Sequence, residues 1–480
     1  SFSLSFSVFI LYLYNSLDWY ISSMKTKSPT LNDSPSNSPA IYTLLCLFAI
    51  ILLAVVVAAT SISISKVNNL PLVQSPVDAP VKHNMLVVIM DDVGVDQIGV
   101  YNEGSSPANT PVIDQLAAEG VLFRNAYSNP LCTPTRAGVQ KGRYGFRTGI
   151  GHVYELNESG YSLTYSELTL PEMLDVGTNG NYAHALFGKW HLANQSNGGA
   201  LSPNLAGYSH YSGLLGNVSI VESYFNWKKT VNGVSSNKTG YLTTDTVDDA
   251  IAWTGAQTKP WLAVVAFNAP HAPFHNPPAN LHTVDLTNPT DLKKYQAALE
   301  ALDTELGRLI QHLKQTGQYA NTTIIVIGDN GTQGSLINAS GVSKGSVYEG
   351  GINVPFIVVS PFVKVKGVES AAFVQTLDVF ATLADIAQVN VSQVAPGVKI
   401  DSISLLPYLK NASTRSLRAY GFSEKFDPVG VGYGAMSPPP GVTLSIKAMR
   451  DVRYKLHVDV VAQTEEFYDL LVDPLESQNL

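Results

Sequence analysis

Met85-Leu86-Val87-Val88-Ile89-Met90-Asp91-Asp92 is the stretch that decides the fold. A short, continuous apolar run of this kind fits a strand buried on both faces of a parallel sheet. It ends in two carboxylates, at the end of a strand where open α/β sheets place their sites. Three later runs repeat the pattern. Residues 183–187 lead into Gly188-Lys189-Trp190-His191, residues 261–267 into Pro270-His271, and residues 323–327 into Asp329-Asn330. Thr110-Pro111-Val112-Ile113 opens a helix, with Thr110 as its cap and Pro111 at the first position. Residues 293–313 read as a long amphipathic helix with Leu299, Leu302, Leu306 and Leu309 on one face. Strands alternating with helices predict an α/β domain with a large, mainly parallel central sheet flanked by helices. From about residue 400 the pattern changes. Short strands joined by turns, at 419–422, 444–450, 454–460 and 466–470, predict a smaller C-terminal antiparallel sheet.

The composition bounds the rest. The chain has 480 residues, 45% hydrophobic and 14% charged, enough for one large globular domain and a small one. A net charge of −8, from 30 Lys+Arg against 38 Asp+Glu, gives no electrostatic case for nucleic-acid binding. Residues 41–59 are almost wholly apolar. About twenty apolar residues span a bilayer, whereas a signal peptide's apolar core is about 7–15 residues. A signal anchor is therefore favoured over a cleaved signal, with Lys25 and Lys27 on the cytoplasmic side. Either reading puts the remainder outside the cytosol, membrane-anchored, secreted or in a lysosomal-type compartment. Met24 reads as the natural start, with 1–23 as upstream sequence. The expected organisation is a disordered leader over 1–40, the anchor or signal over 41–62, and a proline-containing linker over 63–83. The main domain then covers 84–400 and the small antiparallel domain 401–480. Sequons at Asn157, Asn194, Asn217, Asn237, Asn321, Asn338, Asn390 and Asn411 are candidate glycan acceptors.

Cys132 is the only cysteine outside the apolar stretch. In a chain sent out of the cytosol, such a cysteine is inert, paired with another chain, or kept for its chemistry. Pro134 suits the first turn of a helix, and Arg136, one turn along, is expected to reach back to the Cys132 side chain. A nucleophile at a helix N-terminus sees the positive end of the helix dipole. Asp91, Asp92, Asp329 and Asn330 are oxygen ligands at the ends of two strands. Such hard oxygens suit Ca²⁺ or Mg²⁺, and no His/Cys set has zinc spacing. One Asp pair after a strand equally caps a helix; two such pairs, with Cys132 between them in sequence, favour a cation. Lys189 and His191 read alone are a surface lysine and a core histidine. Lys344 alone is a solvated lysine in a Gly-rich loop. His184, His275 and His282 are read as structural.

Read together, these segments carry a resemblance. Cys132-Thr133-Pro134-Thr135-Arg136 followed by Gly142-Arg143 resembles the active-site signature of type I sulfatases, in the alkaline phosphatase superfamily. Gly188-Lys189-Trp190-His191-Leu192 resembles that family's second signature. Ala269-Pro270-His271-Ala272-Pro273, Lys344-Gly345-Ser346-Val347-Tyr348-Glu349-Gly350-Gly351 and Glu466-Phe467-Tyr468-Asp469-Leu470 follow in the family's order. The resemblance runs from Asn84 to Leu480. It is nearest to the N-acetylgalactosamine-4-sulfatase type of arylsulfatase, judged by Pro130-Leu131-Cys132 and Gly142-Arg143-Tyr144. The chain departs from the usual pattern at Thr135 (Ser), Gln140-Lys141 (Leu-Thr) and Ala193 (Gly). Family members continue past the segment matching Asp473-Pro474, so a further C-terminal stretch is expected.

The resemblance implies an alkaline-phosphatase-like fold and hydrolysis of sulfate monoesters, of sulfated carbohydrate or aryl type. It implies that Cys132 is oxidised to formylglycine by a formylglycine-generating enzyme. It implies one Ca²⁺ held by Asp91, Asp92, the residue at Cys132, Asp329 and Asn330. Lys189 and Lys344 would neutralise the sulfate, and His271 with Lys344 would protonate the leaving alcohol. His191 would take a proton from the nucleophile's second hydroxyl, and Arg136 would hold the modified residue. Three other readings stay open. One is a phosphonate or phosphodiester hydrolase of the same superfamily. Another is a non-catalytic, membrane-anchored binding protein, if Thr135, Gln140 and Lys141 block aldehyde formation. The last is a thiol hydrolase with a Cys–His pair, which leaves the acidic cluster unexplained.

Overall fold

The structure is a computed structural model that describes residues 83–158, 161–336, 342–427 and 443–480. The leader, the apolar stretch over 41–62, the linker up to residue 82, and Asn338 lie outside the described residues. Among the described residues no helix is long and apolar enough to cross a membrane.

Residues 81–480 form one compact unit. Its centre is a ten-stranded, mostly parallel sheet. The strands are β1 (Asn84–Met90), β2 (Val121–Tyr127), β3 (Ala183–Gly188), β4 (His210–Gly213), β5 (Asn226–Val231), β6 (Val234–Thr239), β7 (Trp261–Ala266), β8 (Thr322–Gly328), β9 (Phe356–Val359) and β10 (Val368–Gln375). Their spatial order is β10-β2-β9-β8-β1-β7-β3-β4-β5-β6. The run β8-β1-β7-β3-β4 is parallel throughout, while β9, β5 and β6 pair antiparallel. Every residue of β1, β7 and β8 is buried, which is why residues 85–90, 261–266 and 324–327 within them are unbroken apolar runs. Side chains alternate between two cores, one on each face. Met85, Val87 and Ile89 point into one, and Leu86, Val88 and Met90 into the other. Full burial of each such side chain contributes about 1.5–3 kcal/mol. A charge placed at Val88 would therefore break both the strand and the face it packs.

Six helices of nine residues or more flank the sheet among the described residues: α1 (Pro111–Glu119), α2 (Cys132–Lys141), α3 (Leu170–Thr178), α4 (Leu242–Gly255), α5 (Asp291–Gln315) and α6 (Asp378–Ile386). The predicted amphipathic helix is α5, with Leu299, Leu302, Leu306 and Leu309 all buried. The predicted cap of α1 is corrected: Thr110 makes no side-chain cap hydrogen bond. Asp303 of α5 accepts instead, from the Val112 amide at 3.0 Å and the Ile113 amide at 2.8 Å. Its carboxylate meets the positive end of α1 and ties the two helices together.

The four-stranded antiparallel sheet comprises β11 (Gly421–Asp427), β12 (Leu444–Arg450), β13 (Tyr454–Asp459) and β14 (Thr464–Asp469), paired in that order. Its first strand faces the loops that follow β2. The Ser423 hydroxyl donates to the Ser128 carbonyl at 2.9 Å, and Glu424 accepts from the Phe146 amide at 2.7 Å. Lys425 donates to the Gly345 carbonyl at 3.0 Å.

Candidate active site

Four adjacent parallel strands, β8, β1, β7 and β3, deliver their C-terminal ends to one place. Asp329 and Asn330 follow β8, Asp91 and Asp92 follow β1, His271 lies in the loop after β7, and Lys189 and His191 follow β3. Cys132 begins α2, and Lys344 arrives from the loop before Glu349. The turn that leaves β3 depends on Gly188, at φ +86°. A Cβ there would stand 2.1 Å from the Ala266 carbonyl oxygen.

One oxygen or sulfur from each of Asp91, Asp92, Cys132 and Asp329 lies within 4.8 Å of the others, all buried. The cations interleave with them. Lys189 Nζ sits 2.6 Å from Asp91 Oδ2, and Lys344 Nζ 2.5 Å from Asp92 Oδ1. Arg136 grips Asp329 Oδ2 through Nε at 3.1 Å and Nη2 at 2.7 Å, and donates to the Lys189 carbonyl at 3.0 Å. Arg136 senses Cys132 electrostatically but does not spend its hydrogen bonds on it. Its hydrogen bonds go to the strand ends, where the buried carboxylate is the stronger acceptor. The Cys132 sulfur stands 4.0 Å from Asp92 Oδ1.

The electrostatics follow from burial and neighbours. Burial opposes ionisation of Asp91, but Lys189, His271, Arg136 and Lys344 hold its carboxyl well below the usual range. Asp92 is also lowered: His271, Lys344 and Lys189 overcome burial and the repulsion of Asp91. Asp329 goes the other way. Burial and Asp91 push it up to about 7 despite Arg136. Burial raises the Cys132 thiol, against Lys189 and Lys344, so it stays protonated at neutral pH. Burial is overcome at Lys344, whose ammonium is held by Cys132, Asp92 and Asp91. Burial, with Lys189, brings His191 down to about 4. His271 is lowered by burial, with Asp92 and Asp91 opposing.

Asp91 Oδ1, Asp92 Oδ2 and Asn330 Oδ1 are buried acceptors without a hydrogen-bond partner. Hard, unsatisfied oxygens around two ionised carboxylates fit a cation. Two of these residues are conformationally committed: Asp92 has φ +64° and His191 φ +54°, left-handed values that cost about 1–3 kcal/mol each outside glycine. The Asp92 amide donates to Asp329 Oδ1 at 3.1 Å, and Tyr295 donates to the Asp92 carbonyl at 2.8 Å. The His191 amide donates to the Leu215 carbonyl at 2.9 Å, while Thr133 donates to the His191 carbonyl at 3.2 Å.

Residues without a motif also reach the site. Asn217 accepts from Lys189 Nζ at 2.7 Å, and Glu155 Oε1 lies 3.8 Å from His191 Nε2. Neither sits beside a signature, and only the sequon marks Asn217. Tyr224 donates to the carbonyls of Asn268, at 2.6 Å, and His271, at 2.7 Å, fixing the histidine loop. His184 is held between Asp175 at 3.0 Å and the Ser209 amide at 3.0 Å, and His275 stacks on Tyr224 at 3.8 Å. The Asn194 sequon is buried, with its amide donating to the Tyr161 carbonyl at 2.8 Å, so it has no room for a glycan.

The three departures within the signature are accommodated. Thr135 keeps a hydroxyl that accepts from the Asn129 amide at 3.0 Å and donates to its carbonyl at 3.1 Å. Gln140 exchanges hydrogen bonds with the Tyr208 hydroxyl at 3.0 and 3.2 Å. Lys141 donates to the Glu167 carbonyl.

Residues 83–389 match the sulfatase family. Arylsulfatase J of Mus musculus is 30% identical over 344 residues, covering 67% of this chain and 55% of that protein. The N-acetylgalactosamine-6-sulfatase of Homo sapiens is 29% identical over 363 residues, covering 69% of this chain and 66% of that protein. The match thus spans less than two thirds of these relatives' own length. The crystal structure of Ps i-CgsB in complex with k-i-k-neocarrahexaose shares the fold. It has a TM-score of 0.69 at 24% identity, over 83% of this chain and 88% of that one.

Proposed function

The chain belongs to the sulfatase family, and from that membership we propose that it hydrolyses sulfate monoesters, of a sulfated carbohydrate or an aryl alcohol, at Cys132. One observation carries the reading: cation-seeking oxygens and three fixed cations share a buried space around Cys132. Such a site suits an anion that must be attacked while its charge is held.

Asp91, Asp92, Asp329 and Asn330 would hold one Ca²⁺, which supplies further positive charge against the sulfate oxygens. Formylglycine, made from Cys132 by a formylglycine-generating enzyme, would supply a hydrated-aldehyde oxygen as nucleophile. The unmodified thiol is kept protonated by burial and would serve poorly, which weighs against a thiol hydrolase. Lys189 and Lys344 are already anchored to Asp91 and Asp92, so they face an incoming sulfate without reorganising. The His271 ring nitrogen Nδ1 lies 2.7 Å from the Ala272 carbonyl, which assigns the proton there and leaves Nε2 to carry one to the departing oxygen. Burial makes that imidazolium a stronger acid. His191, held neutral, is the complementary base.

The same reading places the catalytic unit outside the cytosol, anchored or released through residues 41–62. The apolar run 41–59 supports it, as do exposed sequon asparagines at 157, 237, 390 and 411.

The test is expression with a formylglycine-generating enzyme, followed by peptide mass spectrometry across residues 129–136. An aryl sulfate, sulfated sugars and a phosphodiester are then compared as substrates. The expected result is the aldehyde mass with sulfate release ahead of phosphodiester turnover. Free thiol only, or a preference for the phosphodiester, overturns the reading.

A further inference from the structure

His191 is 2% exposed, and neither of its ring nitrogens has a hydrogen-bond partner. A buried polar group in that condition costs about 1–3 kcal/mol, and no side chain fixes which nitrogen carries the proton. Among the described residues, the carboxylate paired with this ring is Glu155, at 3.8 Å from Nε2. Glu155 is brought there by construction. Tyr154, buried beside it, donates its hydroxyl to the Leu192 carbonyl at 3.0 Å, one residue beyond His191. The Glu155 amide donates to Glu158 Oε2 at 3.1 Å, and the Glu158 amide donates back to the Glu155 carbonyl at 3.0 Å. The Gln195 amide closes the tie on the Glu158 carbonyl at 2.9 Å. On the other side, a Cβ built on Gly216 would lie 3.8 Å from Glu155 Oε2 and 4.0 Å from the His191 ring. Both distances are ordinary van der Waals contact, so the acid and the imidazole border the same point of the chain at residue 216.

We propose that Glu155 is the positioning residue for His191: its carboxylate takes the Nε2 proton in a hydrogen bond and leaves Nδ1 to accept a proton during turnover. A half-exposed carboxylate closes the remaining distance by rotation, as catalytic hydrogen bonds tighten when substrate arrives. The charged groups facing the ring are Glu155, from the loop before α3, Lys189, beside it in sequence, and Arg136, from α2. The two cations and burial disfavour imidazolium, and Glu155 alone of the three favours it. Removing the carboxylate makes His191 a weaker base. The role in turnover rests on the sulfatase reading, whereas the Glu155–His191 pair does not.

The experiment uses Glu155→Gln and Glu155→Asp in two preparations. In protein carrying the modified residue, Glu155→Gln should lose kcat by about 10–100-fold. KM and the dissociation constant of inorganic sulfate should stay near parental values, and Glu155→Asp should recover much of the loss. In protein with unmodified Cys132, His191 is followed by NMR titration of its ring carbons. Its midpoint should fall in Glu155→Gln, because the group that favours the charged ring is gone. A parent that turns over sulfate esters with kcat and the His191 midpoint both unmoved by Glu155→Gln overturns the inference. A loss confined to KM also overturns it, making Glu155 a substrate contact. A parent with no sulfate-ester turnover but a shifted midpoint refutes the functional reading and keeps the pair.

Discussion

Replacing Lys141 with methionine should stabilise the protein at neutral pH and lose that advantage in alkali. Lys141 ends α2, is 2% exposed, and points its ammonium at the Glu167 carbonyl. Burial pushes its pKa from 10.5 down to about 8, against the pull of Glu172 and Glu167. That gap corresponds to about 3 kcal/mol disfavouring the charged form in the fold. Methionine fills similar unbranched volume without charge, but forfeits a hydrogen bond from a charged donor worth about 1.5–3 kcal/mol. The net gain at neutral pH is therefore about 1 kcal/mol. The sign of the pH dependence is fixed. Between about 8 and 10.5 the unfolded lysine holds a proton that the folded one has released, so the parent's stability rises with pH there. Below that window both states are protonated and the slope vanishes. Urea unfolding of parent and variant, followed by the fluorescence of buried Trp190, Trp227 and Trp261, reads the difference directly. The variant's advantage should be flat up to about 8 and then shrink by as much as about 1.4 kcal/mol per pH unit. A stability difference that is constant across that range would refute the argument that the ammonium is forced into an unfavourable site.

His271→Ala should cost about 10²–10⁴-fold in turnover of sulfate esters with basic leaving groups and less with activated aryl sulfates; equal losses would move the acid role to Lys344 or His191. Lys189→Ala should instead slow both substrate classes alike, because sulfate charge is the same whatever the alcohol, and a selective loss would show that Lys189 touches the leaving group. Chelation should abolish turnover and added Ca²⁺ restore it, with metal analysis of Asp329→Ala showing loss of the ion; full occupancy by zinc, or undiminished activity in that variant, would count against the oxygen-ligand site. Arg136→Ala breaks a buried ion pair and should lower stability by about 3–5 kcal/mol, read as a depressed melting temperature; an unchanged one would mean that Asp329 finds another partner.

The central strands were legible because sheet position wrote itself into composition. β1, β7 and β8 are covered on both faces, so residues 85–90, 261–266 and 324–327 are all apolar. The edge was not legible. β6, Val-Ser-Ser-Asn-Lys-Thr, is exposed at nearly every position and exists because β5 offers it a hydrogen-bonding partner. β2 carries Arg124 and Asn125 in its middle, and an ion pair to Glu369 on β10 explains what alternation does not. The site divides in the same way. Asp91, Asp92, Lys189, His271 and Asp329 follow apolar runs closely, so their neighbourhood was visible. Asn217 follows β4 and meets Lys189 through the pairing of β3 with β4, whereas Glu155 comes from the loop before α3 that docks on Leu192, and no local spacing encodes either approach. The cap on α1 is hidden from local sequence for a similar reason: its acceptor lies 190 residues away.

All ten residues of α2 are buried, Cys132 among them. A thiol inside a closed helix cannot be threaded into another enzyme's catalytic cleft. A formylglycine-generating enzyme, as proposed for Cys132, would therefore have to meet an open chain, and the native fold would set it a deadline. The pairing of β1 with β8 cannot form until residue 328 has been made. At a synthesis rate of roughly 5–20 residues per second, that leaves about 10–40 s after Cys132 emerges. Under the proposed conversion to formylglycine, maturation and folding would compete for the same segment, and a substitution that makes α2 close sooner would yield well-folded molecules that keep the thiol.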